Sequence, residues 1–99
     1  MEEIALRTQI SAEVSLDEVR RVLGNALRHE VDLADARRSY FERACRVFEQ
    51  QHQMSSEEFM RLFESGALGD GAEYFDWYAA KRGLDLWERR FHILSGVEV

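Results

Sequence analysis

The strongest pattern in the chain is a run of apolar residues spaced alternately by four and three. Leu27, Val31, Ala34, Phe41, Cys45 and Phe48 follow this rhythm, with Arg38 and His52 occupying two of its positions. That spacing puts the residues on one face of a helix and resembles a heptad seam. Tyr40, Ala44 and Val47 widen the apolar face. Upstream, Ser15-Leu16-Asp17-Glu18 is a capping box, and Val14 and Val19 stand at the positions of a hydrophobic staple. No proline follows before Ser55. Residues 15–53 are therefore read as one long helical segment, or as two helices broken near Gly24 or between His29 and Asp32. The seam needs a cover, which is either the last helix of the same chain or a second subunit. In the second case Leu27, Val31, Ala34, Phe41, Cys45 and Phe48 form a dimer seam.

Two more helix starts follow. Ser55-Ser56-Glu57-Glu58 repeats the capping box, with Met54 and Phe59 as its staple. It opens a short helix over 55–65 with Phe59, Leu62 and Phe63 inward, and Gly66 suits the left-handed position after its end. Ala67, Leu68 and Gly69 form a turn. Asp70-Gly71-Ala72-Glu73 then reads as a third start with Asp70 at the cap, opening a helix over 70–95. Tyr74, Trp77, Ala80, Leu84, Trp87, Phe91 and Leu94 share one stripe of that helix, with Phe75, Tyr78 and Leu86 beside it. Gly83 inside it costs on the order of 1 kcal/mol against alanine, which predicts a close helix crossing. Residues 1–14 differ: Ile4, Leu6, Thr8 and Ile10 alternate with Ala5, Arg7 and Gln9, a period of two that reads as a short strand or a disordered arm. The fold expected is all-α, a long helix, a short helix and a C-terminal helix packed back on the first.

Composition agrees. Ninety-nine residues with no proline and six glycines make one helical domain rather than a turn-rich β fold. A single cysteine excludes an internal disulfide. The acidic start and the lack of a long apolar run predict a cytoplasmic protein with no membrane span. The net charge of -6 is concentrated: residues 54–76 hold six acids and one base. That patch repels nucleic acid and attracts a basic protein.

Candidate chemistry is sparse. Glu49 and His52 form an E-x-x-H, and Cys45 shares their face. Di-iron bundles that use this spacing require a second such motif and two more glutamates, and the chain has no second E-x-x-H. No metal site and no cofactor are expected. Gly66, Gly69 and Gly71 follow a helix rather than a strand, with Asp70 and Glu73 beside them, which disfavours phosphate. The arginines of the first half are interleaved with acids, as on a solvated helix face. Arg7, Thr8 and Gln9 have the chemistry to read base edges, so the N-terminus is the one place where operator DNA fits.

The densest aromatic stretch is Glu73-Tyr74-Phe75-Asp76-Trp77-Tyr78. Four aromatics in five positions cover most of a helix circumference, so either a partner covers some of them or the helix is buried nearly all round. At Met54-Ser55-Ser56-Glu57-Glu58-Phe59, Phe63-Glu64-Ser65-Gly66-Ala67-Leu68-Gly69-Asp70 and Glu73-Tyr74-Phe75-Asp76-Trp77, the chain resembles a group of small acidic helical proteins of archaea, cyanobacteria and other bacteria. These look like antitoxins of type II toxin–antitoxin pairs. The resemblance spans about residues 40–95; relatives carry a second acid where Gly71 stands. It implies a non-enzymatic module that blocks a small basic toxin, often an RNA-cleaving one, by steric and electrostatic means. Docking would then fall on Leu68, Asp70, Glu73, Tyr74, Phe75, Asp76, Trp77 and Tyr78. The competing readings are a homodimeric helical adaptor and a DNA-binding autoregulator acting through the N-terminus.

Overall fold

In the computed structural model, residues 14–99 are described. They form three helices: α1 (Leu16–His52), α2 (Ser56–Glu64) and α3 (Ala72–Ser95). The strand or arm read over the first residues, and the DNA-reading trio Arg7, Thr8 and Gln9, lie outside this range apart from Val14.

Helix α1 runs unbroken for 37 residues. Neither Gly24 nor the polar stretch from His29 to Asp32 interrupts it. Its start is the one written in the capping box: the Ser15 hydroxyl accepts from the Glu18 amide at 3.1 Å. Its end has no glycine. Gln53 adopts a left-handed conformation with φ 51°, and Ser55 immediately caps the next helix by accepting from the Glu58 amide at 3.1 Å. Helix α2 ends in a Schellman motif, with the Gly66 amide donating to Phe63 and the Ala67 amide to Leu62. Gly66 stands at φ 79°, the left-handed position expected for it.

The third start is corrected by one residue. Gly71, not Asp70, is the N-cap of α3, and no side chain caps that end. Tyr74 donates its amide to the Gly71 carbonyl instead. Glu73 then sits in the first turn, where a carboxylate favours the helix dipole.

Helices α1 and α3 pack antiparallel along most of α3. His52 meets Glu73, Phe48 meets Trp77, Phe41 meets Gly83, and Gly24 meets Val99. The seam of α1 is thus covered by the last helix of the same chain, not by a second subunit: Ala34 and Cys45 are buried within the chain, and Leu27, Val31, Phe41 and Phe48 are half-buried around them. The two polar interruptions of the seam are answered locally. Arg38 lies over the Phe91 ring and reaches Asp35 at 2.5 Å and Glu42 at 3.1 Å. His52 stacks on Trp77 and meets Glu73 at 3.1 Å. The close crossing expected at Gly83 is there: a Cβ on that residue would stand 2.7 Å from the Phe41 ring.

The result is elongated, 63 Å by 23 Å by 21 Å. At 1.5 Å per residue α1 is about 55 Å long and α3 about 36 Å. Because the C-terminal tail reaches only to Gly24, the first two turns of α1 project beyond it, with Leu16 and Val22 exposed.

Candidate functional site

The aromatic and acidic residues singled out in the sequence gather at one end, where α2 crosses the junction of α1 and α3. The centre of that end is Trp77, fully buried. Its ring stacks on Phe59 at 3.9 Å and 7°, on His52 at 5.2 Å and on Phe48 at 5.7 Å. Its Nε1–H donates to the Ser56 hydroxyl at 2.9 Å. Ser56 is itself buried, and its amide donates to the Glu49 carboxylate at 3.0 Å. One residue from each helix is thereby tied to the start of α2.

This arrangement removes Trp77 from the set of docking residues. It is the keystone of the core, since a buried indole needs a partner for its N–H and Ser56 supplies it. Tyr74 is half-buried between His52 and Phe59. Tyr78 is half-buried on Phe63 at 4.9 Å, with the Arg82 guanidinium over its ring. Phe75 remains outside: it is 53% exposed and touches Phe63 edge-on at 5.4 Å. Asp70, Glu73 and Asp76 are exposed, and Leu68 is half-buried in the loop. Of these carboxylates Glu73 is engaged by His52, whereas Asp70 and Asp76 form no ion pair among the described residues.

The Cys45, Glu49 and His52 trio does not converge on a point. Glu49 is committed to the Ser56 amide and His52 to Glu73. Among the described residues no group of three His, Cys, Asp or Glu side chains is placed to hold a metal ion. Cys45 is buried, and burial pushes its thiol pKa up, away from the thiolate a nucleophile needs. Beside it Lys81 bridges Asp85 at 2.8 Å and Glu57 at 3.3 Å. Burial alone would lower the Lys81 pKa, but the two carboxylates outweigh it and hold the ammonium above its ordinary value. Glu57 is lowered, first by the amide at the open start of α2 and then by Lys81. Of these, the Lys81–Glu57 contact joins α2 to α3, while Lys81–Asp85 lies within α3.

Sequence reasoning missed Ser56, Glu49 and Lys81 as the frame of this end. Ser56 stood inside a capping box and was read through Ser55. Glu49 carried only its metal-motif reading.

No protein-family model, curated protein or solved structure matches the chain. Among the described residues no helix is long and apolar enough to cross a membrane.

Proposed function

We propose that the chain is a non-enzymatic protein-binding module that docks a basic partner through its α2–α3 end. The observation that carries this is Phe75, a half-exposed ring seated on Phe63, in a segment where Asp70 and Asp76 are also exposed. An aromatic anchor already held by a packed neighbour loses little freedom on binding, so its burial is converted efficiently into affinity. The same segment holds six acids and one base, which speeds encounter with a positive surface and rejects an acidic one.

The resemblance of segments 54–59, 63–70 and 73–77 to antitoxins narrows the partner to a small toxin, of the RNA-cleaving type. An RNA-cleaving site must attract phosphate and is therefore basic. Carboxylates laid against such a groove occupy the place of the phosphates, and the helix end excludes RNA sterically.

The test uses the full chain and the product of the gene adjacent to its own, when that product is small and basic. Co-expression is expected to abolish the neighbour's toxicity and yield a stable complex. Phe75→Ala is expected to weaken binding at least 30-fold, the effect of losing a hot-spot anchor of roughly 2 kcal/mol. Asp70→Lys should weaken it further as salt is lowered, because a like charge then faces the partner. A complex untouched by both folded variants would show that docking lies elsewhere, and failure to form any complex would remove the antitoxin reading.

A further inference from the structure

Helix α1 carries a second apolar stripe that nothing among the described residues covers. Val22, Leu33, Tyr40 and Val47 are 67%, 38%, 61% and 53% exposed. They are not scattered. With Ala26, His29, Ala36 and Arg43 between them they repeat by four and three along 26 residues of the helix. At 3.6 residues per turn this stripe lies about a third of a turn around α1 from the seam that α3 covers, and it runs for about 38 Å. Helix α2 does not reach it, since its contacts to α1 run through Glu49 and the Cys45 side of the helix. A helix with two heptad stripes is a bundle helix with one neighbour missing.

We infer that the missing neighbour is a second copy of α1, packed antiparallel about a two-fold axis between Ala34 and Asp35. This axis lies at the midpoint of the stripe, so the whole stripe is used. Val22 then meets Val47 of the second copy, Leu33 meets Ala36, and Tyr40 meets His29, so that valine faces valine, leucine faces a small residue, and one ring faces another. Arg43 lies across Ala26, whose short side chain leaves room for the arginine's aliphatic stem.

Charge selects the same register. The positions flanking the stripe include Glu30 and Arg37 on one side and Asp32 and Arg46 on the other. In this pairing Glu30 of each copy faces Arg37 of the other, twice over by symmetry, while Asp32 faces Ser39 and Arg46 faces Asn25. A slide of half a heptad one way sets Arg37 against Arg37. The opposite slide sets Glu30 against Glu30 and Asp32 against Asp32. A parallel pair stacks Arg43 on Arg43 and His29 on His29. Only the centred antiparallel register places opposite charges together without an opposing pair. Arg37 and Glu30 are both exposed, so both are available to a second copy, and Arg37 lies over the Trp87 ring, which limits where its guanidinium can go.

Light scattering on the full-length chain at about 100 μM is expected to give twice the 11.6 kDa of the monomer. Glu30→Arg and Arg37→Glu each create two like-charge contacts, and each is expected to raise the dimer dissociation constant at least 10-fold. The double variant Glu30→Arg/Arg37→Glu restores opposite charges and is expected to return the constant to near its starting value. Circular dichroism confirms that each variant is helical. Tyr40→Asp, at the exposed face of α1, should give a folded monomer. A monomeric parent chain would overturn the inference, and would leave the stripe to residues 1–13 or to another protein. A dimer indifferent to both single charge reversals, or one that the double variant does not rescue, would overturn the register.

Discussion

Ser56 shows how much one small side chain can hold. Its hydroxyl accepts from the buried Trp77 N–H, and its amide binds Glu49 across the α1–α2 junction. Removing the hydroxyl leaves a buried donor unpaired, which costs about 1–3 kcal/mol. Ser56→Ala is therefore expected to lower the thermal midpoint by several degrees. Ser55→Ala, one residue earlier, removes an exposed cap worth about 1 kcal/mol. Thermal unfolding followed by circular dichroism separates the two, and equal losses would contradict the keystone role of the Trp77 bond. The same residue marks a limit of sequence reading. Ser55 and Ser56 are chemically identical, and only the arrival of Trp77 from 21 positions away assigns them different tasks. Trp77 has the matching history: its stripe position was legible, but its neighbours in an aromatic acidic segment made it look like surface. Burial was decided by α2 folding over it, a tertiary event that no local pattern records.

At the level of elements the sequence was more explicit. The starts of α1 and α2 are written in side-chain chemistry, as is the Schellman end of α2 at Gly66, because caps are local. The start of α3 was misread by one position because Asp70 has the right side chain for a cap, yet the backbone turns at Gly71 and the Tyr74 ring lies 3.1 Å from where a Gly71 Cβ would be. The end of α1 was legible only through the next cap, since Gln53 carries no stop signal. The two helix glycines behave oppositely. Gly83→Ala pushes a methyl into Phe41, and overpacking of this kind costs about 1–3 kcal/mol, more than the roughly 1 kcal/mol that alanine gains in helix propensity. Gly24→Ala meets only ordinary contacts at 3.8 Å and should stabilise by up to about 1 kcal/mol. Opposite signs in urea unfolding are expected. Stabilisation by both would mean that Phe41 turns aside freely, and that the crossing is not tight.

As a whole, the molecule is a helical hairpin closed at one end and open at the other. At the closed end Phe59 of α2 packs with Phe48 and Trp77, whereas at the open end Val99 lies beside Gly24 and neither α2 nor α3 extends over the first turns of α1, where Leu16 and Val22 are exposed. The two ends differ in how much chain must be ordered before their contacts form. Phe48 and Trp77 are separated by 29 positions, Gly24 and Val99 by 75. Opening therefore proceeds like a zipper from the free end, each turn of α1 released before the one behind it. In a monomer, amide hydrogen exchange should slow steadily from Leu16 toward His52, with the slowest amides near Cys45 and Phe48. Uniform protection along α1 in a monomer would contradict this. The unequal ends also give an antiparallel partner a mechanical role. It lays the firm aromatic end of one copy alongside the loose end of the other, so each zipper is splinted where it would otherwise start to open, and the exchange gradient flattens as concentration rises.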